Sequence, residues 1–360
     1  MIYKLILTLR NARYKGGKHS EKSPVPTVCF GNVTVGGTGK TPHVELAIRR
    51  LREVSRHGSL AVLSRGYKRR SKGFQQVLAT DSARFAGDEP LQIKRGYPDV
   101  TVAVCRDRLD ACGILAEPAR AASLKKCAHP ELPPAELVIL DDAYQYRRLQ
   151  ADLNVVLVDW YRPVTRDSLL PWGRLRDLPA RIYDADILIV SKCPYELDDS
   201  EKQDAASLLG FDSFDPQTCT ATRAGKAMPL LFTGIFYGRP EPVFTGADTR
   251  YTYSEKAVLL TGIANDTPLR NHLSSDYRIV DHLRYADHHR YTRANVRTFA
   301  AVMRRNPTAA FFTTEKDAQR LRDLKTLPAG LRERLFYIPI TADFYSPEEK
   351  QVFDKYLHSL

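Results

Sequence analysis

The chain lacks several features that define whole classes of protein. It has no apolar run near the roughly 20 residues that a membrane-spanning helix requires, so no such helix is predicted. Internal repeats and low-complexity tracts are also absent. The six cysteines form no Cys-x-x-Cys pair and no metal-ligand spacing. Because a chain of 360 residues can build its core without disulfides, we expect reduced, packed thiols in a cytosolic setting.

The charge balance is the least ordinary part of the composition. Hydrophobic residues at 43% and charged residues at 27% are typical of a soluble, packed protein. The formal net charge is +12, which favours an anionic partner such as a nucleic acid, an acidic membrane surface or a phosphorylated substrate. A generally basic proteome would give the same charge. No nucleic-acid-binding motif and no interleaving of aromatic and basic residues is present, so no nucleic-acid partner is expected.

The most informative stretch is a glycine-rich loop that ends in a lysine and a threonine. It follows the β-prone run Val25–Phe30 and precedes a helical pattern over Pro42–Leu51. Strand, glycine-rich loop and helix form the setting of a phosphate-binding loop, where backbone N–H groups and a helix N-terminus meet phosphate oxygens. Lys40 can reach the terminal phosphates and the Thr41 hydroxyl can ligate Mg²⁺, so ATP and Mg²⁺ are the expected ligands. The loop consists of Gly36, Gly37, Thr38, Gly39, Lys40 and Thr41.

This loop departs from the strict phosphate-loop pattern at one position. The pattern has a glycine five residues before Gly39, and this chain has Thr34 there. Gly36 and Gly37 would then supply the flexibility that the backbone needs to turn its N–H groups toward an anion. A glycine-rich turn before an ordinary helix is the alternative interpretation.

Short apolar runs alternate with helical patterns along the rest of the chain. Glu136–Leu140, Val155–Val158 and Ile187–Val190 have the character of buried parallel strands, each followed by polar residues. The sequence therefore predicts an α/β fold, with a P-loop NTPase-like core, a mostly parallel sheet and a smaller C-terminal α/β domain. The predicted division is a membrane-surface segment (1–22), a P-loop domain (23–215), a hairpin or linker region (216–255) and a C-terminal α/β domain (256–360).

The N-terminal segment combines an apolar start with a run of cations. Met1–Leu9 is mostly apolar, and Arg10, Arg13, Lys15 and Lys18 follow it. It has no small-residue cleavage site after a proper apolar core, so it is not typical of a secretory signal. The pattern fits a segment that lies on an anionic membrane. A short helix docked on the protein fits it equally well.

Acidic residues and histidines at strand and helix ends are the other candidates for chemistry. Asp141 and Asp142 follow a buried strand, where an unpaired carboxylate is costly unless it serves a cation or a hydrogen-bond network. A helix N-cap at Asp142 is the structural alternative. By pattern alone, Asp88 and Glu89 belong to a helix start. His288 has the pattern of a surface histidine.

Taken together, these motifs resemble one family closely. Over about Val25 to Pro339 the chain is similar to the tetraacyldisaccharide 4'-kinases, the lipid A kinases of Gram-negative bacteria. The motifs appear in the family's order and are Gly31-Asn32, the loop Gly36 to Thr41 with Pro42, Ser64-Arg65-Gly66-Tyr67, Gly87-Asp88-Glu89-Pro90, Asp141 to Gln145, Leu169-Leu170-Pro171, Asp287-His288 and Thr314-Glu315-Lys316-Asp317.

The resemblance implies an activity and assigns roles to residues. It implies ATP- and Mg²⁺-dependent phosphorylation of a sugar hydroxyl on an acylated glucosamine disaccharide 1-phosphate, giving lipid IVA. It places the enzyme peripherally, on the cytoplasmic face of the bacterial inner membrane. The family's catalytic pair falls on Asp88 and His288, which belong to different predicted domains, so closure between domains would assemble the site. The family's Mg²⁺ ligands fall on Thr41, Glu89 and the pair Asp141 and Asp142, between which the sequence does not choose.

Several arginines are candidates for the substrate phosphate or the nucleotide, because a guanidinium group binds phosphate in a bidentate manner. A solvated surface role is the alternative for each of them. The candidates are Arg65, Arg108, Arg147 and Arg148.

The chain departs from the family pattern in two places, and one rival function remains. Ala143 and Tyr146 stand where the family has Gly and His after the aspartate pair, with Tyr144 at the aromatic position between them. Trp172 and Arg174 replace the usual Ala and Pro near the Leu-Pro motif. The rival is a P-loop ATPase switch of the partitioning or insertion type, which would need no histidine from a second domain.

Overall fold

The protein, seen in a computed structural model that describes residues 2–54 and 57–360, has a mixed α/β architecture. Met1 and the Lys15 side chain, both in the predicted membrane-surface segment, lie outside the described part. The helices are α1 (Ile2–Arg13), α2 (Lys40–Val54), α3 (Ala83–Ala86), α4 (Asp88–Gly96), α5 (Arg108–Ala116), α6 (Ala119–Ala122), α7 (Asp199–Leu208), α8 (Thr267–Asp276), α9 (Arg293–Arg305), α10 (Glu315–Arg322), α11 (Ala329–Arg332) and α12 (Pro347–His358).

The strands form one large sheet, one smaller sheet and a short pair. They are β1 (Glu21–Lys22), β2 (Thr27–Gly31), β3 (Leu60–Ser64), β4 (Gln75–Val77), β5 (Thr101–Val104), β6 (Leu137–Asp141), β7 (Leu149–Gln150), β8 (Leu153–Asp159), β9 (Ile187–Ser191), β10 (Ser213–Asp215), β11 (Thr220–Arg223), β12 (Lys226–Tyr237), β13 (Glu241–Pro242), β14 (Lys256–Thr261), β15 (Arg278–Arg284), β16 (Ala310–Thr314), β17 (Leu335–Ile338) and β18 (Ile340–Phe344).

The large sheet confirms the predicted mostly parallel core. Its order is β10-β11-β12-β9-β8-β2-β6-β3-β5-β4, and β18 pairs with β12. The central strands from β12 to β5 run parallel, and antiparallel strands lie at the two edges. The carboxyl ends of β2, β6, β8 and β9 therefore meet at one edge of the sheet, where open α/β sheets bind ligands.

Both faces of the large sheet are covered, which explains why its strands are apolar throughout. Side chains alternate between the two faces of a strand. Val28 and Phe30 of β2 pack with Val44 and Ile48 of α2 on one face, and Cys29 packs into the core on the other face. All six cysteines are unpaired, and Cys127 alone is not fully buried. No helix within the described ranges is long and apolar enough to cross a membrane.

The smaller sheet belongs to a second domain that is inserted into the first. Its order is β13-β17-β16-β14-β15. The chain leaves the large sheet at the end of β12 and returns to it as β18, and the two crossings touch where the Gly238 N–H donates to the Pro339 carbonyl at 2.9 Å. The smaller sheet and its helices thus occupy the chain between these two crossings.

The last part of the chain differs from the predicted division. The sequence-based division gives residues 256–360 to the C-terminal domain, but β18 pairs with β12 and α12 packs on α2. Buried Phe353 and Leu357 of α12 join the core around α2. Residues 226–237, predicted as part of a hairpin or linker region, form the long strand β12 of the large sheet. These residues are held as a strand by pairing with β9 and β18, and their local sequence pattern does not predict it.

Candidate active site

The glycine-rich loop connects β2 to α2 and is exposed at Gly36 and Gly37. Gly36 and Gly39 have φ of 102° and 82°, values that favour glycine, and a side chain at Gly37 would meet nothing within 4 Å. The Asn32 side chain braces the loop from inside by donating to the Thr38 hydroxyl at 2.7 Å. The result is an open, glycine-lined surface at the start of a 15-residue helix, as an anion site requires.

Thr34 stands at the position where the strict pattern has glycine, and its conformation explains why threonine fits. Thr34 pairs with Leu175 in an isolated antiparallel bridge. It is not among the residues with positive φ. Extended backbone suits a β-branched residue, so this part of the loop does not need a glycine.

His43, which the sequence analysis did not single out, anchors the loop from behind. A carbonyl can only accept, so Nδ1 carries the proton and donates to Gly39 O at 2.7 Å, and Nε2 accepts from the Thr233 hydroxyl at 2.8 Å. Burial lowers the pKa of His43 to about 4, which keeps the ring neutral. The loop is thereby fixed to β12. The neighbouring loop adds Ser191, whose hydroxyl donates to Thr38 O at 2.8 Å.

The two adjacent aspartates at the end of β6 have different surroundings. Asp142 lies 3.7 Å from Lys40 Nζ and is paired with Arg176. Burial raises the pKa of Asp142, but Lys40 and Arg176 outweigh it and hold the pKa well below the usual range. Asp141 is 3% exposed, and its carboxylate makes no hydrogen bond or ion pair with the described residues. Burial, followed by the charges of Glu89 and Asp142, raises the pKa of Asp141 to about 7. No helix begins after Asp142, so the N-cap alternative does not apply.

Asp88 and His288 meet across the two domains. Asp88 opens α4 and is buried, and His288 Nδ1 donates to its Oδ2 at 2.9 Å. Burial works to raise the pKa of Asp88, but the hydrogen bond from His288 and the charges of His288, Lys316 and Arg320 hold it at about 2. The same hydrogen bond raises the pKa of His288. Tyr67 packs edge-on against the His288 ring, with 5.3 Å between centroids.

The second domain also supplies cations to this cluster from one face of α10. Lys316 pairs with Glu89, and Arg320 Nε lies 3.5 Å from Asp88 Oδ2. Although burial lowers the pKa of Lys316, the carboxylates of Glu89 and Asp88 raise it above its usual range, so the ammonium stays charged. The charge of Glu89 acts on Lys40 and Asp141, which places the domain contact beside the phosphate loop.

Arg320 is held in place by a buried network in the second domain. It pairs with Asp317 at 3.1 Å and donates to the carbonyls of Gly262 and His289 at 3.2 Å. Asp317 is fully buried and also accepts from the Tyr291 hydroxyl at 2.7 Å. Because Arg320 binds the carbonyl next to His288 and also approaches Asp88, it ties the loop of His288 to α4.

The four candidate arginines divide into two pairs. Arg108 is buried and donates to the Asp142 carbonyl at 3.4 Å. Burial and the nearby charge of Arg65 lower the pKa of Arg108, so Arg65 lies near Arg108. Arg147 donates to the Asn11 side chain at 3.2 Å, and Arg148 pairs with Asp107 at 2.9 Å. The second pair faces α1 and an open cavity of about 520 Å³. The cavity is lined by Leu9, Arg10, Arg13, Tyr14, Gln145, Tyr146, Arg147 and Arg148.

Of the residues that replace the family's usual ones, Ala143 and Tyr144 lie in the core and half-buried Tyr146 packs against it. Ala143 is buried, and the Tyr144 hydroxyl donates to Arg181 O at 2.7 Å. The Tyr146 hydroxyl donates to Asp107 at 2.7 Å, and its ring lies 5.4 Å from the Arg108 guanidinium. These three residues therefore add contacts behind the aspartates.

Some residues of the site were missed in the sequence. Lys316 belongs to the Thr314–Asp317 motif, and its position in that motif could have identified it as a site residue. Lys192 follows the apolar run Ile187–Val190, and its place at a strand end was also a signal. Arg176 and Arg320 had none, because only the fold brings them to the site. Lys192 lies 2.6 Å from Asp159 and also binds the Gly37 carbonyl.

Comparison with known proteins identifies the family. The family model of the tetraacyldisaccharide-1-P 4'-kinases matches residues 1–358. The tetraacyldisaccharide 4'-kinase of Parabacteroides distasonis is 35% identical over 339 residues, covering 92% of this chain and 85% of that protein. The enzyme of that name from Porphyromonas gingivalis is 35% identical over 371 residues, covering 99% and 94%. The crystal structure of LpxK from Aquifex aeolicus in complex with ATP has the same fold, with a TM-score of 0.68, 24% identity and coverage of 99% and 96%. The chain belongs to the tetraacyldisaccharide-1-P 4'-kinase family.

Proposed function

We propose that the protein transfers the γ-phosphoryl group of ATP to the 4'-hydroxyl of an acylated glucosamine disaccharide 1-phosphate, giving lipid IVA. The observation that carries this proposal is the contact between Asp88 and His288 at 2.9 Å, beside the phosphate loop and across two domains. A hydrolytic switch needs no such pair, whereas a kinase must accept a proton from the hydroxyl that attacks.

The phosphate loop would hold the nucleotide substrate. Gly36 and Gly37 leave an open, glycine-lined surface at this loop, and Lys40 lies at the start of α2. Lys40 is now 3.7 Å from Asp142, a distance that leaves its ammonium able to reach phosphate oxygens. Its charge stabilises the phosphoryl group more strongly as negative charge develops in the transition state.

The acidic residues fit a Mg²⁺ ion. In the described part of the chain, no group of three or more His, Cys, Asp or Glu side chains could hold a metal by itself. Mg²⁺ in phosphoryl-transfer sites needs only one or two carboxylates, because substrate phosphates and water supply the other ligands. The carboxylate of buried Asp141 makes no ion pair or hydrogen bond with a described residue, so Asp141 is the member of the pair that we assign to the metal, together with the Thr41 hydroxyl.

Glu89 and Asp142 would support this metal site. Glu89 is paired with Lys316, and Asp142 with Lys40 and Arg176, and the charges of both carboxylates act on Asp141. When bound, Mg²⁺ would neutralise charge on the transferred phosphoryl group.

Asp88 is the proposed base and His288 its partner. The Asp88 carboxylate would accept the proton of the attacking sugar hydroxyl, and the His288 imidazole, bonded to Oδ2, would orient that carboxylate and stabilise its charge. Arg108, which lies beside Asp142, and Arg65, whose charge acts on Arg108, are proposed to bind the phosphate of the substrate or the nucleotide. Arg147 and Arg148 face α1 and are proposed to meet the substrate or the anionic membrane from that side.

We further propose that α1 lies on an anionic membrane surface at the cytoplasmic face of the inner membrane. Tyr3, Leu7 and Asn11 face the protein, while the opposite stripe of α1 is apolar and exposed. An outward apolar stripe with cations at its end is the pattern of a helix in the lipid interface. The stripe consists of Ile2, Leu5, Ile6 and Leu9, which are between 55% and 77% exposed.

A direct assay tests the kinase proposal against the ATPase switch. The protein is incubated with ATP, Mg²⁺ and the acylated disaccharide 1-phosphate in detergent, and the product is examined for a new 4'-phosphate. We expect this product from the unaltered protein. Lys40→Ala should lower kcat by about 10²-fold or more with both substrates saturating. ATP hydrolysis without a sugar phosphate would favour the switch, and full activity in folded Lys40→Ala would exclude this loop as the active site.

A further inference from the structure

The loop of residues 168–175, called here the Trp172 loop, holds a tryptophan in the solvent. Backbone N–H groups of Leu170 and Leu175 donate to Leu175 O and Ser168 O at 3.0 and 2.9 Å, which closes the loop. A Cβ at Gly173 would lie 2.3 Å from Ser168 O, so the loop is tightly packed at its base. Trp172, at its tip, is nevertheless 90% exposed. The loop therefore presents a large apolar ring on a well-bonded support.

A single exposed apolar side chain is ordinary, so the position of Trp172 matters more than its exposure. The Tyr3 hydroxyl of α1 donates to Arg176 O at 3.0 Å, one residue beyond the loop. The first turn of α1 is therefore next to the base of the Trp172 loop. The outward stripe of α1, which starts at Ile2, and the ring of Trp172 are neighbouring apolar features, and neither is covered by the rest of the described chain.

The charges around these two features complement an anionic surface. Lys4, Arg13 and Arg174 are exposed and make no ion pair within the described residues. The carboxylate of the nearby Asp167 is engaged within the loop, where it accepts from the backbone N–H groups of Ser168 and Arg174 at 2.7 and 3.1 Å. Unpaired cations beside apolar residues favour lipid head groups, and tryptophan rings favour the boundary between head groups and acyl chains.

We propose that Trp172 and the outward stripe of α1 form one lipid-contact surface, whose partner is an anionic phospholipid bilayer. This inference rests on the membrane binding proposed above and adds a second point of contact to it. Contact along α1 alone would let the whole protein tilt about the helix axis. A second contact at Trp172 would fix that tilt.

That orientation has a consequence for the reaction. The Val35 N–H donates to Arg174 O at 2.8 Å, and Thr34 pairs with Leu175, so the Trp172 loop is bonded to the start of the phosphate loop. Contact of Trp172 with the bilayer would bring the edge of the active site to the membrane surface. An acylated disaccharide could then reach the nucleotide while its acyl chains stay in the lipid.

The tryptophan content makes a direct test possible. The chain has two tryptophans, Trp160 and Trp172, so Trp160→Phe leaves Trp172 as the sole indole reporter. With vesicles of phosphatidylglycerol and no substrate, we expect the fluorescence emission of Trp172 to shift to shorter wavelength. Iodide should also quench this fluorescence less than it does without vesicles. Trp172→Phe, which leaves Trp160, should show neither change. In sedimentation, Trp172→Ser should weaken vesicle binding about tenfold. Tyr253→Ser, at an equally exposed aromatic residue of the second domain, should not.

The outcomes separate this inference from the proposals on which it rests. Sedimentation with vesicles but unchanged Trp172 emission would overturn the inference and leave the membrane proposal standing. A shift that requires the acylated disaccharide would assign the ring to the substrate, and would overturn the inference as well. Failure of the unaltered protein to sediment would overturn both proposals about the membrane, while the kinase assay in detergent would be unaffected.

Discussion

At the scale of single residues, the site depends on how buried charges are partnered. Asp88 is separated from His288 by 200 positions in sequence, yet the two share a hydrogen bond of 2.9 Å. A buried carboxylate is costly without partners, and here His288 and Arg320 supply them from the second domain. The ionised state of Asp88 is therefore maintained by contacts that exist only while the domains are together.

This arrangement predicts that Asp88 and His288 act as a unit. Asp88→Ala and His288→Ala should each lower kcat by about 10²- to 10⁴-fold, because each removes part of one proton-accepting group. The double variant should be scarcely slower than the slower single variant, since residues that act together are not additive. Steady-state kinetics and nucleotide binding measure both effects, and ATP affinity should change little. Multiplicative losses in the double variant would show independent roles and contradict the pair.

The residues of the site differ in how far the sequence could predict them. The phosphate loop was predictable from spacing, because a local strand, loop and helix create it. The catalytic roles of Asp88 and His288 were predicted from the family resemblance alone, since the local sequence around each residue is ordinary. Arg176 and Arg320 could not be predicted, because their partners Asp142 and Asp88 are distant in sequence and only packing brings them close.

At the scale of elements, α10 sets the position of the second domain against α4. Residues on one face of α10 reach the first domain: Lys316 meets Glu89, Gln319 accepts from Arg95 at 2.6 Å, and Arg320 approaches Asp88. The Thr314 hydroxyl caps the start of this helix by accepting from the Asp317 N–H. The contact of α10 with α4 could not be predicted from the sequence, because the polar face of α10 resembles one that is exposed to solvent.

The junction of α2, α4 and α10 predicts a pH dependence of stability. Glu45 of α2 is buried and accepts from the Gln92 amide at 3.0 Å. Burial raises its pKa from the usual 4.5 to about 7, against the opposing effect of this hydrogen bond. Between pH 4.5 and 7 the folded protein therefore keeps a proton that the unfolded chain has lost, and the free energy of unfolding falls as pH rises through this window.

Glu45→Gln removes that proton equilibrium and keeps the shape of the side chain. It should stabilise the protein at pH 8 by on the order of 2 kcal/mol, and the gain should vanish near pH 4.5. Thermal unfolding of both proteins across this pH range measures the difference. Glu255→Gln, at an exposed carboxyl, serves as the control and should change nothing. A gain that does not vary with pH would contradict the assigned protonation of Glu45.

The apolar stripe of α1 predicts a separable membrane function. Replacing Ile2, Ile6 and Leu9 by Ser should weaken binding to anionic vesicles, because the stripe is exposed and would lose its contact with lipid. ATP affinity and kcat in detergent should remain unchanged, since the helix faces the protein through Tyr3, Leu7 and Asn11. Vesicle sedimentation at low and high salt gives the measurement. Unaltered sedimentation of the triple variant would place the membrane contact elsewhere.

At the scale of the whole molecule, the second domain is an insertion held at two crossings and one interface. The sequence predicted two α/β domains but placed β18 and α12 in the second one. Their local patterns suit either domain, and only pairing with β12 and packing on α2 decides the matter. Because the chain returns to the first sheet after the insertion, the second domain can move only about the paired crossings at Gly238 and Pro339.

These crossings provide a test of whether domain position controls the reaction. A Cβ at Gly238 would lie 2.9 Å from Pro339 Cγ, and the ring of proline cannot turn away. Gly238→Ala should therefore shift one crossing against the other and displace His288 from Asp88. We expect kcat to fall several-fold with little change in ATP affinity, because the phosphate loop lies in the first domain. Steady-state kinetics and nucleotide binding give both quantities.

Gly96→Ala is the matched control, because a Cβ there meets nothing within 4 Å at the end of α4. It should keep full kcat. A folded Gly238→Ala enzyme with normal kcat would show that the crossings do not set the geometry of the site. The contacts of Lys316 and Arg320 with α4 would then suffice to hold His288 against Asp88, and the position of the second domain would be decided at that interface alone.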